Sequence, residues 1–377
     1  WFEENRTELL ADPTNLMKQA DEPAQLWAGV QAYRAAMAQE PSGYMCGLVA
    51  TSSGIQLLSL LAGCVTSAKS CNLVDVGKRV DAYTLMHEHM DKLLGYTNSY
   101  SRDVIKKAGM THFYGSKAEP RAVFGEDTPE LAAFYATIDT LLPGANQLNY
   151  DLLSLWQPDA LVHSWTMPDG FDVRIKVMAN KETQVSFFGT PFTVVTKENR
   201  PQESGLSLGA NIIHSIDGMV VREMGRRCNF DLVRLEGVRR ALSNGANGTS
   251  SLREKDLSLL YVLACAESSG FMSAVIFEYL DEHNVGHLDQ AQRKQVMELI
   301  ESMPAMPFPV LAIHDCFKFH PNHGNKVRQQ YVNILAELAD SEILSHIASQ
   351  ITGRHIPVNK IDNNISALIR QSEYALS

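Results

Sequence analysis

The stretch Arg102–Lys117, RDVIKKAGMTHFYGSK, has the most specific residue spacing in the chain. Arg102, Lys106, Met110 and Tyr114 recur every fourth residue, so on a helix they form one slowly drifting stripe, basic at its start and aromatic at its end. At about 1.5 Å rise per residue the stripe is roughly 18 Å long, comparable to an extended nucleoside triphosphate. Its basic end suits phosphates, and its Tyr suits a base or sugar. The plain alternative is an amphipathic surface helix that stops at Gly115.

The surroundings show what carries this helix. Leu26, Val30, Tyr33 and Met37 sit at helical spacing before PSG (41–43), YMCGLVA (44–50) is strand-like, and SSGIQLLSLLAGC (52–64) reads as a Ser-capped helix. A second helix is expected from after Asp75 to about Leu94, and a third over Arg102–Phe113. DTPELAAFYATIDTLLPG (127–144) has a cap at its front and Pro-Gly at its end. From Ala160 to Thr196 the pattern alternates around MPDG, a hairpin signal, and from Asn229 to Met306 it is mostly helical with a soft break at SNGANGTS (243–250).

Composition excludes several classes. At 377 residues, 45% of them hydrophobic, the chain can bury a substantial core in more than one lobe. No apolar run is long enough to span a membrane, so no membrane partner is expected. The six cysteines form no CxxC pair, which indicates neither a zinc site nor a disulfide framework and fits a reducing cytoplasm. A formal charge of −10 argues against indiscriminate nucleic-acid binding, although Arg102, Lys106, Lys107, Lys117 and Arg121 crowd one region. Such a run is ordinarily a solvated face.

PVLAIHDCFKFHP (309–321) breaks an apolar run on a His and an Asp. An unpaired buried carboxylate costs several kcal/mol, so Asp315 either emerges from the strand or meets a cation.

Taken together these segments resemble the single-subunit DNA-directed RNA polymerases of T-seven-type phages and mitochondria. RDVIKKAGMTHFYGSK resembles that family's fingers helix, with Arg102, Lys106, Tyr114 and Gly115 on its motif positions. ATSSGIQLLS (50–59) is similar to the family's first palm motif and VLAIHDCF (310–317) to its second. WTMPDGF (165–171), PQESGLSLGANIIHSIDG (201–218) and the opening WFEENRTEL (1–9) also match. The resemblance runs over residues 1–228 and 308–345.

The resemblance implies an α+β, right-hand polymerase fold: palm over residues 1–66 and 211–377, fingers over 67–210, and a helical insertion over about 229–306. Roughly ninety-five residues separate HSIDG from the HD motif, which lie close together in the family. It implies attack of an RNA 3′-hydroxyl on the α-phosphate of a ribonucleoside triphosphate, with two Mg2+ ions bound by palm carboxylates. Asp315 would be one metal ligand, and the carbonyl of Ala50 another. His314 would orient the primer end or serve as a hairpin residue. Arg102 and Lys106 would hold the triphosphate, with Lys106 protonating the leaving pyrophosphate. Tyr114 and His214 would flank the ribose, and Gly115 would let the template approach.

Two departures accompany the resemblance. The family's metal-binding Asp falls on Val49, which has no donor, and Asp75 and Asp81 are expected to lie too far along the chain to replace it. An altered sequence, a naturally inactive relative and a shifted register each account for Val49. The promoter-reading domain, the thumb and the GR-containing motif would all precede Trp1. The implied protein is therefore the catalytic subunit of a split phage enzyme in the infected host's cytoplasm, working with DNA template and promoter, RNA product and a second polypeptide. A non-catalytic nucleic-acid-binding relative and a family A DNA polymerase fragment remain as alternatives.

Overall fold

A computed structural model describes residues 1–245 and 253–377 of the chain. The protein is mixed helix and sheet, with helices dominant and seven strands among the described residues. In chain order the strands are β1 (Cys46–Val49), β2 (Val162–Thr166), β3 (Asp172–Lys176), β4 (Met178–Phe187), β5 (Thr190–Asn199), β6 (Leu311–Ile313) and β7 (Cys316–Phe319).

β1, β7 and β6 form an antiparallel sheet in that order, pairing Val49 with Cys316 and Leu48 with Phe317. Side chains alternate across it: Phe317 and Phe319 enter the core, while Val49, Leu311 and Ile313 face out. Ile313 pairs with Cys316, so His314 and Asp315 are the two loop residues of a tight hairpin, and His314 adopts the left-handed conformation at φ 55°. The apolar run therefore breaks because the chain turns there. The segment Ala375–Ser377 lies along the other edge of β1, with Ser377 N donating to Val49 O at 3.1 Å and Thr51 N to Ala375 O at 3.3 Å.

Behind the sheet stands the Ser53–Leu61 helix, in which every residue from Ile55 to Leu61 is buried. A helix apolar on all sides belongs in a core. It packs against the Ser207–Cys228 and Gly324–Asp340 helices, and Leu58, Ile216 and Leu335 share one continuous apolar cluster. Gln56, with Ser59, is a polar exception. Its Nε2 lies within 3.0 Å of Thr51 Oγ1, Cys71 O and Ala375 O, and its Oε1 accepts from Tyr331 OH at 2.9 Å. The buried amide thus ties this helix to the carboxy-terminal segment and satisfies itself doing so.

Residues 229–306 close a core of their own around Leu235, Val238, Val262, Val296 and Leu299. The first helices meet in a third, small cluster at Leu9, Leu16 and Val30.

The expected third helix coincides with the observed Arg102–Phe113 helix, and the MPDG hairpin is β2–β3. Other expectations need correction. The helix expected after Asp75 starts at Ala82, because Asp81 accepts from Thr84 N and caps it. Ser52 stands at the N-cap of the following helix without a side-chain capping bond, its φ being 119°. The helix expected within DTPELAAFYATIDTLLPG is found as Pro129–Leu141, capped by Thr128 and ended before Pro143, which opens the next helix, Pro143–Ser154. A second hairpin, β4–β5, follows the first. The expected boundary at 210/211 falls inside the Ser207–Cys228 helix. Of the expected break at SNGANGTS, residues 246–250 lie outside the described residues. No described helix is long and apolar enough to cross a membrane.

Candidate active site

One cleft of about 390 Å3 opens between the β1 end and the Arg102–Phe113 helix, and its lining includes Val49, Ala50, Arg102, Lys106, Tyr114 and Asp315. These residues come from three segments, which the β1–β7 register and the helix packing bring together. Ala50 N donates to Asp315 O at 3.1 Å, so the end of β1 lies directly beside the hairpin turn. Val49 is 43% exposed there, a large apolar side chain on a polar wall.

The helix presents its stripe as its spacing predicts. The Arg102 guanidinium lies 5.8 Å and the Lys106 ammonium 6.0 Å from the centroid of the Tyr83 ring, and Tyr83 is buried. Arg102 Nε donates to Asp81 Oδ1 at 3.1 Å, and its Nη2 meets Asp81 Oδ2. Burial opposes ionisation of Asp81, but its hydrogen bonds from Arg102 and Thr84 hold the carboxyl below its ordinary range. Among the described residues Lys106 forms no salt bridge. The neighbouring cations behave as a solvated face: Lys107 pairs with Glu119 at 2.6 Å and Arg121 with Glu126 at 3.5 Å.

Asp81, set aside as too far along the chain to replace a ligand at position 49, lines the cleft as the partner of Arg102; the loop after Cys71 returns it there. Asp75 instead accepts from Gly77 N at 2.7 Å in an exposed turn.

At the far end of the stripe, the rings of Tyr114 and His214 meet edge-on with centroids 5.1 Å apart. Burial, then the charges of Asp217 and Asp315, push the Tyr114 phenol up. Gly115 has φ 85°, and a Cβ there would lie 2.6 Å from Leu206 O. Its own chain thus already requires a glycine at this position. His314 is exposed in the hairpin turn and is not among the cleft-lining residues.

Sequence reading missed two groups. Asp217 lies one turn beyond His214 on the same helix face, accepts from Ser53 Oγ at 3.4 Å, and is pushed up to about 6 by burial and by the charge of Asp315. The i, i+3 spacing inside HSIDG was the available signal. Arg79 also lines the cleft, with Nε donating to Ser377 Oγ at 2.8 Å.

The donor chemistry can be weighed against Mg2+. Asp315 and Asp217 supply hard carboxylate oxygens, as that ion prefers, and Val49 supplies nothing. Among the described residues no group of three or more His, Cys, Asp or Glu side chains is placed to hold a metal. The two carboxylates fit Mg2+ in kind, with the donor of position 49 lacking.

Asp217 also gives a pH signature. Its ordinary value is 3.8, so between pH 4 and 6 the unfolded chain is ionised while the folded chain keeps its proton. Stability is therefore lost as pH rises through that window. Asp217→Asn is expected to stabilise the metal-free protein by about 2–3 kcal/mol at pH 8 and to change nothing near pH 3.5. Urea unfolding in chelator at both pH values checks this, and equal effects at both would show that the carboxyl is not raised.

Neither a protein-family model nor a curated protein matches the chain.

Proposed function

We propose that this chain is the palm-and-fingers portion of a phage DNA-directed RNA polymerase of the single-subunit family, and that it carries the catalytic site, working with DNA template and RNA product in the infected host's cytoplasm. The observation that carries the reading is the convergence of Val49, Arg102, Lys106, Tyr114 and Asp315 on one cleft. These are the positions the motif resemblance assigns to chemistry, and Asp315 lies more than 200 residues along the chain from the others.

In this reading Arg102 and Lys106 hold the triphosphate, and Lys106, which no described acid neutralises, protonates the leaving pyrophosphate oxygen. Tyr114 and His214 flank the ribose. Their polar edges favour a sugar carrying a 2′-hydroxyl, because a deoxyribose leaves them unpaired. This favours the RNA-polymerising reading over a family A DNA polymerase fragment. Asp315 and Asp217 would hold Mg2+, which when bound neutralises phosphate charge and activates the attacking 3′-hydroxyl. Since Val49 gives no ligand, the chain as it stands binds its substrates and turns over slowly or not at all. Val49 thus favours a second reading, a nucleic-acid-binding relative without turnover.

The test is nucleotide binding by the full chain. Ribonucleoside triphosphate is expected to bind more tightly than its deoxy counterpart, and Lys106→Ala to weaken both at least tenfold. Tyr114→Phe keeps the ring and removes one hydrogen bond of about 0.5–1.5 kcal/mol, so it should reduce the ribose preference by a factor of roughly 2 to 12. Triphosphate binding indifferent to Lys106, or a ribose preference untouched by Tyr114→Phe, would overturn the assignment.

A further inference from the structure

The contact that the triphosphate assignment leaves unexplained is the one on Arg102. Asp81 occupies its Nε and Nη2 edge, and Nη1 turns toward Asp103 Oδ1 at 3.5 Å. Asp81 is itself anchored, accepting from Thr84 N at 2.8 Å and Thr84 Oγ1 at 3.1 Å at the start of the Ala82–Leu94 helix. The carboxylate is thus a fixed anion already seated on the guanidinium. Lys106, one turn along and likewise about 6.0 Å from the centroid of the Tyr83 ring, carries no such partner among the described residues.

We propose that Asp81 determines which phosphate esters the cleft accepts: it holds Arg102 against short, weakly charged anions and yields to one long enough to engage Lys106 as well. This rests on the reading of the cleft as a nucleotide site. A monophosphate reaching Arg102 must share or displace Asp81 for a single charge-assisted contact, an exchange of like for like. A triphosphate meets Lys106 in addition, and that contact displaces nothing. Asp81 therefore weakens monophosphate binding more than triphosphate binding. Discrimination between the two arises from the resident anion as well as from the number of cations.

The experiment compares dissociation constants of a nucleoside monophosphate and the matching triphosphate, in chelator, for the full chain and for Asp81→Asn and Asp81→Ser. Both replacements keep an acceptor at the helix start, so the fold should survive, and thermal melts check that it does. The expected result is a roughly fivefold gain in monophosphate affinity, the scale of one partly exposed ion pair, with a smaller gain for triphosphate. The effect should vanish when Arg102→Ala is already present. An unchanged ratio overturns the proposal, as does a parallel loss of both affinities, which would make Asp81 a buttress for Arg102. Triphosphate that binds normally while the ratio stays fixed removes this inference alone, whereas no triphosphate binding by the unsubstituted chain removes the nucleotide site with it.

Discussion

Under the proposed function, Val49→Asp is expected to raise nucleotide addition by about a thousandfold or more, because a metal ligand contributes several kcal/mol to the transition state and each 1.36 kcal/mol is tenfold in rate. The position follows from the β1–β7 register. Val49 pairs with Cys316, and the next residue donates to Asp315 O, so a carboxylate at 49 would stand beside Asp315 and share the cleft with it. Without metal the substitution adds a third acid near Asp217 and Asp315 and should lower stability, by like-charge repulsion. With Mg2+ or Mn2+ that cost should be recovered, so the stabilisation conferred by the cation grows. Mn2+ affinity measured by electron spin resonance gives a readout independent of turnover. Extension of a primed template by the Val49 protein as fast as by its Asp variant would show that position 49 is not where the ion is held.

Arg227→Met is expected to cost about 3–5 kcal/mol of stability, the scale for breaking a buried ion pair by removing one partner. Arg227 is fully buried. Its Nε donates to Glu223 Oε2 at 3.0 Å, and its Nη1 and Nη2 donate to the two carboxylate oxygens of Glu337 at 2.9 and 2.6 Å. Glu223 also accepts from Ala274 N at 3.0 Å and from the Ser273 hydroxyl. One guanidinium thus joins the Ser207–Cys228 helix, the Gly324–Asp340 helix and the 229–306 segment. Removing it strands Glu223, which is buried completely and, among the described residues, has only Arg226, at 3.7 Å, left as a cation. The same helix carries His214 and Asp217, so the nucleotide affinity of the cleft should fall along with the urea midpoint. A loss under about 1 kcal/mol would mean that water or a neighbouring side chain replaces the guanidinium.

The local elements were legible because their causes are local. The Arg102–Phe113 helix shows its bounds in Ser101 at the front and Tyr-Gly at the end, and the alternation around MPDG marks a hairpin whatever lies beside it. The chemistry-bearing residues of the cleft, Val49, Arg102, Lys106, Tyr114 and Asp315, were also readable as motif positions. What sequence could not supply was the company these residues keep. Asp81 was set aside for lying a helix away, yet it is the side chain bonded to Arg102. Asp217 passed as part of a matching stretch, although its carboxyl shares the charge environment of Asp315. Gly115 was assigned to an approaching template, and the constraint the sequence did not show is that a Cβ there would lie 2.6 Å from Leu206 O.

Periodicity, caps and turn residues act over one or two helical turns, and for that reach the sequence by itself determined the elements and the residue types that line them. Partners of a charge, the neighbour of a glycine and the residue facing a vacant ligand position are set by chain segments meeting from far apart, as Val49 meets Cys316. Only tertiary structure decided those, because a long-range register depends on how the whole core packs, and no local pattern encodes it.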